Sequence, residues 1–124
     1  MSRLLPPSFT DFPTSVRQYR VIGRFGPDIG PTRADIACDG ERYVVVWRSG
    51  TDGGSSHDII GASIDRAGNI LPISIATSAA DERDPGVISM GDGTFLVTYE
   101  KLQNGERRLA GRFVTFGSRI RPVR

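Results

Sequence analysis

Few side chains in this sequence are of a kind that does acid–base or nucleophilic chemistry. His57 is the single histidine and Cys38 the single cysteine. Carboxylates are plentiful, with Asp52, Asp58, Asp65, Asp81, Glu82 and Asp84 falling in one stretch. A pair of them held roughly 5–9 Å apart could serve a glycosidase as general acid and base or nucleophile. Most of them sit in turn-like surroundings, where Asp hydrogen-bonds its own backbone. A G-x-S-x-G nucleophile elbow is absent, and so is a phosphate-cradling Gly-rich loop ending in Lys-Ser/Thr. A zinc site draws three or four ligands from Cys, His and carboxylates, and no such cluster is spaced here. No cofactor or metal is expected, and a glycosidase-like hydrolase is the least favoured function.

Recognition is the second chemistry open to the chain. Trp47-Arg48 and Tyr99-Glu100 each join an aromatic ring to a charged neighbour, and the loop 52–58 adds Asp52, His57 and Asp58. A ligand site would be built from Trp47, Arg48, Asp52, His57, Asp58, Tyr99 and Glu100. The competing reading is packing. Tyr43 and Val45 alternate with Trp47 onto one face, which favours Trp47 as core. Tyr99 has a hydroxyl to satisfy and belongs closer to a rim. Cys38 lies in the apolar run IAC and is expected to pack as a small buried residue.

Composition narrows the class. The chain has 124 residues, 38% of them hydrophobic and 24% charged, which fits one globular domain with a real core. Arginine outnumbers lysine fifteen to one, and six of the arginines fall at or after position 107, yet the formal charge is only +2. A basic tail attracts phosphate backbones, but no nucleic-acid-binding pattern accompanies it. It reads as a solvated edge, and nucleic acid is not the expected partner. No apolar run approaches the roughly 20 residues of a membrane helix. MSRLLPPSFTDFP lacks a signal peptide's apolar core. A soluble protein is expected, cytoplasmic by default unless the chain is a piece of a secreted one.

The elements that must position these residues are strands. No window carries a helical apolar period, whereas β-branched runs bounded by Gly, Asp, Asn and Ser recur throughout. Strands are predicted over 34–38, 42–48, 58–65 and 70–77, and again over 85–90, 94–101, 107–115 and 118–123. Asp39-Gly40, Gly68-Asn69 and Asn104-Gly105 are hairpin signals, so neighbours are antiparallel. Residues 16–25 form a further alternating strand, preceded by a Pro-rich extended arm over 1–15.

The two groups of strands are repeats. DGERYVVVW matches DGTFLVTY with one residue fewer after Asp-Gly in the second, pairing Tyr43 with Phe95, Val45 with Val97 and Trp47 with Tyr99. IIGAS matches LAGRF, with Gly61 opposite Gly111. A Gly repeated inside a strand points to a shared close approach of backbone. Both faces of the second strand are apolar, as in a sheet stacked between neighbours. Four antiparallel strands every fifty or so residues is also the period of a propeller blade.

The phrases DG-x-x-aromatic-VVVW, DIIGASID and ILPISIAT resemble the tandem repeats of bacterial β-propellers, and loosely those of TolB-type propellers. The resemblance covers about residues 33–117 and weakens in the second repeat, where Tyr99 replaces Trp and Arg108-Leu109 replace Asp-Ile. SIDRAGN is faintly similar to a sialidase Asp-box, but Ser63, Asp65 and Gly68 read better as turn chemistry. The resemblance implies an all-β, propeller-type domain over 16–124. Its repeats span about 33–82 and 83–124, and strand 16–25 completes a blade. Two blades cannot close a ring of roughly 4–8, so the chain is either a fragment of a larger propeller, a member of a homo-oligomeric ring, or a β-sandwich. The homo-oligomeric ring is expected, with the sandwich as the alternative architecture. The resemblance says little of function. The expected function is a non-enzymatic protein-interaction or structural module. An oligomeric, lectin-like carbohydrate binder is the alternative.

Overall fold

The computed structural model describes residues 20–24, 33–50 and 57–117. Seven strands are present among them: β1 (Asp35–Cys38), β2 (Arg42–Gly50), β3 (His57–Asp65), β4 (Ile70–Ala76), β5 (Asp81–Gly91), β6 (Thr94–Gln103) and β7 (Glu106–Thr115). They form an antiparallel four-stranded sheet in the order β1-β2-β3-β4 and an antiparallel three-stranded sheet in the order β5-β6-β7. The chain is all-β. No helix among the described residues is long and apolar enough to cross a membrane. The strand expected over 118–123 lies outside the described residues, as does the arm over 1–15.

Local chemistry sets the turns. Asp39 Oδ1 accepts from the Glu41 and Arg42 N–H groups at 2.8 and 2.9 Å, closing the β1–β2 hairpin. Asp65 does the same between β3 and β4. Its carboxylate accepts from the Ala67 and Asn69 N–H groups and from Asn69 Nδ2. Ser63, Asp65 and Gly68 thus belong to strand and turn, as the sequence suggests. Asn104 and Gly105 both take positive φ, 54° and 76°, the backbone of a two-residue type I′ hairpin.

The register repeats as well as the sequence. Val46 pairs with Gly61 in the first sheet, and Thr98 pairs with Gly111 in the second. Trp47–Ile60 likewise corresponds to Tyr99–Ala110. At both glycines a carbonyl from the neighbouring strand comes close. A Cβ on Gly61 would lie 2.4 Å from the Val45 oxygen, and one on Gly111 would lie 3.4 Å from the Val97 oxygen.

The main core lies between the sheets. Val44, Val46, Ile59 and Ile75 of the first sheet pack against Val87, Phe95, Val97 and Tyr99 of the second. These are unlike faces. Phe95, Val97 and Tyr99 are the repeat equivalents of Tyr43, Val45 and Trp47, which lie on the other side of β2. The sheets therefore stack head to tail, as successive repeats, and not as mirror halves. The edge of the stack is closed by Phe116, whose ring meets Phe95 edge to face at 5.9 Å and carries the Arg42 guanidinium at 4.3 Å. Between β1 and β5, Asp35 Oδ2 accepts from the Val87 N–H at 2.8 Å.

Three features differ from the sequence reading. Strand β5 begins at Asp81, ahead of Pro85, because a register shift between Arg83 and Gly86 takes the proline out of the ladder and Asp84 adopts φ 56°. Residues 20–24 join no ladder. They lie over the Trp47 ring, against which Gly23 presents bare backbone, and the rest of the expected strand 16–25 falls outside the described residues. Cys38 is exposed, not buried, because it shares the outer face of β1 with Ile36; its sulfur accepts from the Gly40 N–H at 3.3 Å.

The glycine geometry gives a graded expectation. Gly61→Ala forces a methyl into a backbone oxygen and should cost about 2–3 kcal/mol, the scale of an overpacked core. Gly111→Ala meets an ordinary contact and should cost about 1 kcal/mol or less. Urea denaturation of the two variants checks the order, and equal losses would remove the close approach as the reason for the repeated glycine.

Candidate functional site

The residues singled out in the sequence do not come together. Trp47 is buried on the outer face of the first sheet, where it packs with Val45 and Ala62. Its indole Nε1–H donates to the Arg24 carbonyl at 2.9 Å. Tyr99 is buried in the inter-sheet core and is not at a rim. The first sheet separates the two rings, and neither offers a free face for stacking. Arg48 is half-buried beside Trp47, and Glu100 pairs with Arg107 at 3.6 Å on the second sheet. Asp52 lies outside the described residues. His57 and Asp58 remain neighbours at the start of β3.

Around His57 the chain builds a polar junction between the sheets. β2 ends and β3 begins here, with Gly50 opposite His57 and Ser49 opposite Asp58. β5 starts beside them. The Asp81 carboxylate accepts from the His57 backbone N–H at 3.1 Å and from His57 Nδ1 at 2.8 Å. Its other oxygen takes Arg83 at 2.5 Å. Burial pushes the Asp81 carboxyl upward, but the His57 hydrogen bond, the Arg83 hydrogen bond and both charges outweigh it and hold the group below its ordinary value. Since the ionised carboxylate only accepts, the shared proton sits on Nδ1. Asp58 moves the other way, raised by burial against a smaller opposing pull from His57. One residue further along, Glu82 is fully buried, and Ser78 donates its hydroxyl to Glu82 Oε2. The Ala80 N–H completes that turn by donating to Ser78 Oγ at 3.2 Å.

A carboxylate that orients a histidine is half of a hydrolytic triad. Here the His57 ring and backbone N–H are both turned to Asp81. Cys38, the only thiol, sits at the far end of β2, opposite Tyr43. Among the described residues no group of three or more His, Cys, Asp or Glu is placed to hold a metal ion. The arrangement fastens β3 to β5. Sequence reasoning picked out both Asp81 and His57 but not their contact, which forms across 24 residues and two sheets.

A second surface is apolar. On β6, Leu96 and Thr98 point away from the core, and the register places Ile88 and Phe113 on either side of Leu96. Leu109 lies opposite Glu100 on the same face. Ile88, Met90, Leu109 and Phe113 are exposed. The expectation that the second strand is buried on both sides therefore holds for β2 but not for β6. Residues 20–24 cover the Trp47 side of β2, and nothing among the described residues covers the Leu96 side of β6.

Comparison with known proteins finds no matching family model, no matching curated protein and no matching solved structure.

The junction yields a pH expectation. The Asp81 carboxylate is lowered in the folded chain, so its contribution is complete above the ordinary value of 3.8 and is lost as pH falls through the folded value. Asp81→Asn should cost about 2–3 kcal/mol at neutral pH, and the deficit should shrink in acid, where the native carboxylate is also neutral. Asp58, raised in the fold, contributes with the opposite sign and is left in place by this substitution. Urea denaturation at neutral and acidic pH makes the comparison. A deficit that does not change with pH would mean that the carboxylate's charge is not what the junction uses.

Proposed function

We propose that this chain is a non-enzymatic interaction module built from two propeller-type blades, and that the outward face of the second sheet is its contact surface. The head-to-tail stacking supports the blade reading. A sandwich of two similar sheets related by a two-fold axis would bury like faces, whereas blades in a series bury unlike ones. The single observation that carries the interaction reading is the apolar face formed by Ile88, Leu96, Leu109 and Phe113. Its repeat equivalents on the first sheet include Val44 and Ile59, which are fully buried by the second sheet. A contiguous exposed apolar patch of this kind marks a contact site. Carbohydrate recognition has less support, because Trp47 and Tyr99 are spent on packing.

Replacing Leu109 and Phe113 together by Asp tests the reading. If the face is open in the isolated chain, the thermal midpoint should stay within about 2 °C of the native one, as for surface substitutions. Binding of an apolar fluorescent dye should fall. A drop of many degrees would mean that the face is packed within the chain, and the reading would fail.

A further inference from the structure

The exposed apolar residues of the two sheets are not independent features. Three of them, Ile36, Tyr43 and Leu109, are the repeat counterparts of residues buried where the sheets meet. Ile36 is 56% exposed, whereas its counterpart Val87 is 6% exposed. Tyr43 is 49% exposed, and its counterpart Phe95 is fully buried. On the other side, Leu109 is 81% exposed and its counterpart Ile59 is fully buried. Leu96, half-buried, corresponds to Val44, also fully buried. One chain therefore carries one completed copy of an interface and, on its two outer faces, the two complementary halves of another.

What covers part of the first of these halves is slight. Residues 20–24 touch the Trp47 ring through Gly23 and Arg24, and their described hydrogen bonds to the sheet are two. Trp47 Nε1 donates to the Arg24 carbonyl at 2.9 Å, and the Arg20 guanidinium donates to the Gly68 carbonyl at 2.9 Å. Val21 is 64% exposed and Ile22 38% exposed. Ile36 and Tyr43, on the same face, are left open.

We propose that a second copy of this chain docks the Ile88–Leu96–Leu109 face of its second sheet on the Ile36–Tyr43–Trp47 face of the first, in place of residues 20–24. This rests on the reading of the second sheet's outer face as a contact surface and names its partner. The contact is heterologous: each copy gives one face and receives on the other. Such contacts continue until a ring closes or a filament forms. Residues 20–24 act as an internal cap that competes with the incoming copy, so their displacement sets the concentration at which assembly begins.

The test uses the whole chain and three variants, with mass in solution read by light scattering across a concentration series. The native chain should rise above monomer mass with concentration. Tyr43→Asp and Leu109→Asp alter opposite faces at exposed positions, and their melting should be close to native. Neither variant should grow beyond monomer alone. Mixed, they should form a one-to-one dimer, because each supplies the face the other lacks. Gly23→Val puts a side chain where even a Cβ would lie 2.1 Å from Trp47 Cζ2, so it should loosen the cap and bring assembly to at least tenfold lower concentration. A native chain and a Gly23→Val chain that both stay monomeric at their highest soluble concentrations would overturn the proposal. So would assembly lost in Leu109→Asp but untouched in Tyr43→Asp, which is the pattern of like faces pairing. Gly23→Val assembling no more readily than the native chain would remove the cap. None of these failures alters the melting result for the Leu109 and Phe113 double variant, so the open face and its occupant are tested separately.

Discussion

The contact of Phe95, Val97 and Tyr99 with Val44, Val46 and Ile59 is the interaction on which the rest of the structure depends. Neither sheet holds a sufficient core alone, since a few antiparallel strands need a second layer to bury their apolar side. Because the second sheet repeats the first, the choice of which faces meet fixes everything outside them. Unlike faces meet. The Trp47 side of the first sheet and the Leu96 side of the second are consequently turned outward. One is partly covered by residues 20–24, and nothing among the described residues covers the other.

Around this contact the polar groups do positioning work. Asp35 satisfies the Val87 N–H, which lies next to the bulge at Asp84-Pro85, and so ties β1 to β5. Asp81 holds both the backbone and the ring of His57 and ties β5 to β3. The two anchors grip β5 near Val87 and at its first residue, on either side of its irregularity. Of the carboxylates noted in the sequence, Asp65 is occupied by a turn and Asp81 by the inter-sheet seam, and Asp39 and Asp35 serve in the same two ways.

Strand positions were legible because β-branched alternation and Asn-Gly or Asp-Gly turns are local signals. The repeat aligned the second and third strands of the two sheets. The close approach expected at its paired glycines is present at Gly61, 2.4 Å from a Cβ to the Val45 oxygen, and not at Gly111, which meets an ordinary contact. What could not be read was anything set by long-range packing. Alternation shows that Tyr43, Val45 and Trp47 share a face, but not which face is turned inward, so Tyr99 went deeper than its hydroxyl suggested. Cys38 was misjudged for the same reason. Pro85 looked like the start of a strand because a bulge several residues into a ladder has no compositional mark. The His57–Asp81 contact had no signal at all, since each residue alone is ordinary for a loop edge.

The junction at His57 also divides the molecule by its tolerance of change. In the second repeat β6 and β7 are joined by two residues, Asn104 and Gly105, whereas in the first the segment between Gly50 and His57 is six residues long. The ladders on either side keep identical register in spite of that difference. Asp81 clasps the residue at which the longer segment re-enters the sheet, so a change in its length or composition stops at the clasp and does not travel into the core. Among the joints between the described strands, this is the one whose length differs most between the repeats, with no change of register.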